Sequence, residues 1–197
     1  MASAFADITF TPSVKAAQSQ YGSRERNSRF ELATDARNQL TEQEIEFIAQ
    51  RDSFYQATVS ESGWPYVQHR GGPVGFLKVL DGRTLGFADF RGNVQYLSVG
   101  NLQANNRISL ILMDYANRQR LKIWGTVRIA HADTEPELLA QLEVPTYRAR
   151  VERGIIIHIE ALDWNCPQHI TPRYSQAQVE EMMAPLLAEI ERLKQLV

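Results

Sequence analysis

One cysteine, Cys166, stands in 197 residues. No disulfide can form within the chain, and a reducing, cytoplasmic setting is expected. No uninterrupted apolar run approaches the roughly 20 residues that a membrane span needs, so no membrane contact is expected. Neither charge sign dominates: 21 basic and 23 acidic residues leave a formal net charge of −2. The basic residues are scattered rather than gathered in a stripe, which excludes nucleic acid as an expected partner. Residues 1–7 have neither the basic start nor the apolar core of a secretory signal. Internal repeats and low-complexity segments are also missing. Cys166-x-x-His169 has no second Cys/His cluster to complete a zinc site and no third group to orient the histidine in a nucleophilic dyad, so no metal is expected. What remains is an ordinary globular composition, 44% apolar and 22% charged, in a chain long enough for one domain with a substantial core.

Three regions follow from patterning. Residues 1–40 mix polar, small and charged side chains with little periodicity, and an irregular arm wrapping the domain or a partner subunit is expected. Residues 41–173 carry the domain itself. Thr41-Glu42-Gln43-Glu44 is a capping box that opens a helix to about Gln50, burying Ile45 and Ile48. Strands are expected over 54–60, 66–70, 76–80, 84–90, 107–113, 120–129 and 154–162, with a turn at Ser62-Gly63-Trp64-Pro65. Asp81-Gly82 suits a tight hairpin whose turn needs positive φ. A helix over about 94–105 and another capped by Thr134-Glu135-Pro136-Glu137 interrupt the strands. Six or seven antiparallel strands with few, short helices predict a mainly β fold, a closed barrel with peripheral α-helices.

Residues 174–197 read as a helix packed on the barrel or on a partner subunit. Ser175-x-x-Gln178 caps it, and Val179, Met182, Met183, Leu186, Leu187, Ile190 and Leu193 recur at spacings of three and four. Pro185 is expected to kink it. Core packing is the first reading of this stripe, and a seam with a partner helix is the second.

Chemistry concentrates between 84 and 125. The run Thr84-Leu85-Gly86-Phe87-Ala88-Asp89-Phe90 ends in a small-residue turn, through Arg91-Gly92-Asn93, just where a helix should begin. A helix start offers unpaired backbone N–H groups and a partial positive charge, and so attracts phosphate. Arg91, Asn93, Gln95 and Ser98 add donors; plain helix capping by the same residues is the blander reading. Arg70 precedes Gly71-Gly72, which let backbone approach a planar ligand closely. It is otherwise an exposed arginine at a strand end, and His69 beside it falls on either face. With no G-x-G-x-x-G fingerprint in a βαβ unit, the site suits one terminal phosphate rather than a dinucleotide.

Taken in order, Gln68-His69-Arg70-Gly71-Gly72-Pro73, Phe76-Leu77-Lys78, Phe87-Ala88-Asp89-Phe90-x-Gly92-Asn93, Asn101-Leu102-x-x-Asn105-x-Arg107-Ile108-Ser109-Leu110 and Ile123-x-Gly125-x-Val127-Arg128 resemble the FMN-binding split barrel of pyridoxamine 5′-phosphate oxidase and its relatives. The likeness covers roughly residues 42–162. Gly92-Asn93-x-Gln95-Tyr96-x-Ser98-x-Gly100-Asn101, with the stretch from Asp163 to Arg173, is similar to a bacterial branch described as pyridoxamine 5′-phosphate oxidase-related and FMN-binding. The resemblance implies a six-stranded antiparallel split barrel and a homodimer with FMN at the subunit interface. It also implies flavin-dependent redox chemistry on a small molecule. The cofactor contacts it implies are His69, Arg70, Gly71, Gly72, Ala88, Asp89, Arg91, Asn93, Gln95, Ser98, Arg120 and Trp164. A non-catalytic flavin or haem binder or sensor on the same barrel is the alternative, and deazaflavin a third.

Two departures bear on activity. Where the oxidase has an Arg-Lys pair before the helix, this chain has Arg91-Gly92-Asn93. The oxidase's C-terminal Arg and His, which hold the vitamer phosphate, have no obvious counterpart. The segment from Trp164 to Arg173 stands there instead, carrying Pro167 and Pro172 and crowded with diverse side chains. It is expected to lie across the flavin, with Trp164 stacking and His169 or Arg173 facing substrate; a structural crossover plugging the barrel end is the alternative. Little pyridoxamine 5′-phosphate oxidase activity is expected.

Overall fold

The computed structural model describes residues 3–32, 37–164 and 167–195. Seven strands form one antiparallel sheet: β1 (Ser53–Val59), β2 (Pro65–Gly71), β3 (Lys78–Asp81), β4 (Thr84–Phe90), β5 (Arg107–Asp114), β6 (Gln119–Ala130) and β7 (Val151–Trp164). Their order is β2-β1-β5-β6-β7-β4-β3. The count is therefore seven rather than six, because the short β3 adds to β4 at one edge. The sheet rolls until its two ends meet across the core. Phe54 of β1 stacks on Phe76, with ring centroids 5.5 Å apart, and meets Phe87 of β4 edge-on at 5.3 Å. Leu85, Leu110, Leu112, Leu121, Ile123 and Ile157 fill the space between. This is the expected mainly β split barrel.

Strand β7 is the spine, pairing with β6 on one side and β4 on the other. Its Ile155-Ile156-Ile157 run has no alternation because both faces are covered. Ile155 and Ile157 enter the main core, while Ile156 lies in a second cluster with Ala88, Ala130, Leu139 and Leu142. The last two belong to helix α6 (Pro136–Leu142), whose N-cap is Glu135 without a side-chain cap, not the expected Thr134 arrangement. Strand β6 bulges at Trp124/Gly125. A Cβ on Gly125 would stand 2.5 Å from the His158 carbonyl oxygen, so glycine is needed there by close backbone approach. At the β3–β4 turn, neither Gly82 nor Arg83 takes positive φ. The Asp81 carboxylate instead accepts the Arg83 N–H at 2.7 Å, closing a side-chain turn where a primed hairpin was expected.

The N-terminal region differs most from expectation. It holds three short helices, α1 (Ala4–Thr9), α2 (Pro12–Gln20) and α3 (Arg24–Glu31), where an irregular arm was expected. Phe5, Phe10 and Phe30 cluster edge to face, and Phe5 packs on Trp124 of β6 at 5.4 Å. These aromatics are too few and too widely spaced to show helical periodicity, yet they tie the segment to the barrel's outside. Helix α4 (Glu42–Ala49) has the expected capping box. Its buried side is Phe47 and Ile48, and Ile45 is exposed. Between β4 and β5 lies α5 (Leu97–Ala104), shorter than the expected 94–105.

Helix α7 (Gln176–Lys194) starts at the expected Ser175 capping box and runs through Pro185. It buries no residue. The whole apolar stripe faces outward, so core packing, the first reading, does not hold. No helix of the described residues is long and apolar enough to cross a membrane.

Candidate functional site

The end of β4, the start of α5, one face of β2 and the start of β7 enclose a cleft of about 240 Å³. Strand β2 contributes alternate residues, Tyr66, Gln68 and Arg70, as its period of two requires. His69 therefore lies on the opposite face, edge-on to Tyr55 at 5.4 Å. Arg70 donates to Asp89 at 2.7 Å, and Arg153 donates to the other carboxylate oxygen at 3.2 Å. Arg153 also donates to Glu152 at 2.8 Å, and Tyr96 OH donates to the same carboxylate group at 3.1 Å. Arg91 stands 3.8 Å from Glu152. Burial pushes the Asp89 carboxyl above the ordinary aspartate range, against the pull of Arg70 and Arg153. Arg70, Arg91 and Arg153 against Asp89 and Glu152 leave one positive charge in excess.

The helix start lies in the same cleft. Tyr96, Leu97, Ser98 and Val99 line it, and no side chain caps α5. Its N-cap Tyr96 has φ 53°, and Val94 two residues earlier has φ 59°. A left-handed β-branched residue is a costly conformation, of the kind that collects at ligand sites. Asn93 Oδ1 accepts the Gln95 backbone N–H at 3.2 Å and Asn93 Nδ2 donates to Gln95 Oε1 at 3.3 Å, building the turn above the helix start. Ser98 donates its hydroxyl to Gln68 at 2.7 Å.

Of the sequence-derived candidates, the structure brings Arg70, Asp89, Asn93, Gln95 and Ser98 to this cleft, with Arg91 at its margin. It does not bring the others there on the same chain. Gly71 is exposed beside the His69 ring, whereas a Cβ on Gly72 would meet the Phe76 ring at 2.7 Å, so there a side chain rather than a planar ligand takes the space. Ala88 is buried in the cluster beneath α6. Arg120 pairs in register with Met113, on the face of β6 opposite fully buried Leu121. Trp164 donates its indole N–H to Glu44 at 2.6 Å and packs edge-on against Phe47 at 4.8 Å, plugging the α4 end of the barrel. On its own chain, then, Trp164 lies at the barrel end and not over this cleft.

His169 and Arg173 are elsewhere too. His169 is exposed with φ 63°. The Arg173 guanidinium lies over Tyr115 at 5.2 Å, in a separate depression that shares no residue with the cleft. Cys166, weighed with His169 as a metal pair or dyad, lies outside the described residues. Among the described residues no three His, Cys, Asp or Glu side chains are grouped to hold a metal ion. Sequence reading missed Tyr66, Gln68, Glu152 and Arg153. Strict alternation from Arg70 would have found the first two. The last two precede 154, where the apolar run made the strand seem to begin.

A family model described as pyridoxamine 5′-phosphate oxidase matches residues 40–162. The chain belongs to that family. The match holds β1 to β6 and most of β7, and hence nearly all of the cleft. No curated protein matches the chain in sequence. Among solved structures, one from Lactobacillus delbrueckii named after pyridoxamine 5′-phosphate oxidase is similar at 20% identity and TM-score 0.51, covering 64% of this chain and 94% of its own. HupZ from Group A Streptococcus is similar at 18% identity and TM-score 0.52, covering 68% and 100%. At these identities the likeness concerns the fold. Each leaves about a third of this chain uncovered.

Proposed function

We propose that this member of the family is an FMN-binding homodimer that acts as an oxidoreductase on a small molecule, in a reducing cytoplasmic setting. The observation that carries the reading is the uncapped start of α5 opening into a donor-lined cleft within the matched region. Its residues fit a flavin phosphate. Arg70 leaves Nε buried without a partner among the described residues, Asn93 and Gln95 present amides, and the net charge is positive. The N–H groups of the first turn of α5 complete an anion site. A cleft of about 240 Å³ is smaller than the ~300–1,000 Å³ usual for a ligand of this size. A second subunit completing the enclosure accounts for the shortfall and fits a cofactor held at an interface.

Bound FMN would supply the hydride exchange, leaving position and electrostatics to the protein. Both carboxylates lining the cleft are tied to arginines, so this chain offers neither as a free general base there. That pairing also favours the second reading, in which the barrel holds flavin or haem without turnover. Pyridoxamine 5′-phosphate itself is not the proposed substrate, because Arg173 and His169 do not join the cleft of their own chain.

Titration of the apoprotein with FMN and with riboflavin, which lacks the phosphate, tests the assignment. Charge-assisted hydrogen bonds of ~1.5–3 kcal/mol predict tighter FMN binding by about 10- to 100-fold. Equal affinities would remove the phosphate from the α5 cleft.

A further inference from the structure

Helix α7 is exposed along its whole length, yet Val179, Met183, Leu186, Ile190 and Leu193 are spaced alternately by four and three. That is the a/d repeat of a two-helix seam, with Val179, Leu186 and Leu193 at d and Met183 and Ile190 at a. We propose that α7 pairs in parallel with α7 of a second copy of this chain. The flanking positions decide partner and direction. In a parallel pair each g residue faces the e residue five positions further along the other helix. Glu189 and Lys194, which pair within their own helix with Arg192 and Glu191, then also meet across the seam, and Met182 meets Leu187, with no like charges opposed. Turned antiparallel with Leu186 facing Ile190, the helices would bring Glu180 to Lys194 but set Glu189 against its own copy, and with Leu186 facing Met183 they would gain no opposite-charge contact. Pro185 falls at c, away from the seam, so the carbonyl its missing N–H leaves free faces water.

Nineteen residues at 1.5 Å each span about 28 Å. So short a pair is marginal alone and gains from the high local concentration that an existing dimer supplies. The pairing to that extent rests on the homodimer reading. The family match ends at residue 162, so this seam is an addition beyond the shared barrel.

The test is cysteine linking in the full-length chain carrying Cys166→Ser, with Leu193→Cys on the seam and Ala188→Cys at f on the far side as control. Mild oxidation is expected to link most of the Leu193→Cys chains into dimers, and at least about tenfold fewer of the Ala188→Cys chains, because a disulfide needs closely approaching Cα atoms. Equal linking at both positions overturns parallel pairing. Linking only when Leu193→Cys is combined with Val67→Cys also overturns it, since the helix then lies on the sheet face. Sedimentation of the same proteins separates this claim from the barrel dimer. A dimer without the Leu193→Cys link contradicts helix pairing alone, and a monomer contradicts both.

Discussion

Arg70 illustrates how a side chain expected to touch a ligand is first committed to the protein. Its pair with Asp89, shared with Arg153, joins β2 to β4 and β7 across the rolled sheet. Deleting one member of a buried ion pair leaves a desolvated charge, at a cost of ~3–5 kcal/mol. Arg153 still pairs with Asp89, so Arg70→Ala is expected to lose less than that, ~1–3 kcal/mol in chemical denaturation, and Arg70→Ala with Asp89→Ala to lose less than the two single variants added together. A double-variant loss equal to the sum of the two single-variant losses would show that the pair is not coupled. Glu44 makes a similar point at the other end of the barrel. Burial acts to raise its carboxyl, but hydrogen bonds from Thr41 and from the Trp164 indole outweigh it and hold the group below the ordinary value of 4.5. Its folded pKa is depressed, so the stability it contributes is present above pH 4.5 and is lost as pH falls through the lower folded value. Trp164→Phe should cost ~1–2 kcal/mol at neutral pH and flatten the loss of stability below that pH. An unchanged acid slope would take Trp164 out of the account of Glu44.

At the scale of elements, local signals were reliable where the physics is local. The capping boxes at Thr41 and Ser175 and the β-rich and apolar runs bounded by turns place α4, α7 and all seven strands within a few residues. Burial was harder to read, because it depends on what arrives from elsewhere. Ile45 and Phe47 are both apolar, and what arrives from elsewhere, the Trp164 ring against Phe47 included, decides which goes inside. The stripe of α7 is periodic whether its cover is the barrel or another helix. In the candidate site, the strand–turn–helix passage and its donors were legible, whereas the partners from β7 arrive through long-range pairing that no local pattern records. Gly125 is where element geometry is most exacting. A methyl there would push on the His158 carbonyl across the bulge, so Gly125→Ala should lower stability by about 1–3 kcal/mol, as forced overpacking does. Unchanged thermal unfolding would mean that the bulge relaxes freely.

For the molecule as a whole, the barrel presents two kinds of unfinished surface: a donor-lined cleft too small to enclose a flavin alone, and an apolar helix with nothing over it. On the proposal above a second copy completes both, and a cofactor held between copies would link its own affinity to dimerisation by mass action. The central claim is that the cofactor is FMN. Mass spectrometry of what the purified protein releases on denaturation, read beside its visible spectrum, tests this most directly. FMN released in near-equal amount to chains, with flavin absorbance before denaturation, is the predicted result; haem, FAD or deazaflavin in its place, or a colourless protein that takes up no FMN, would contradict it.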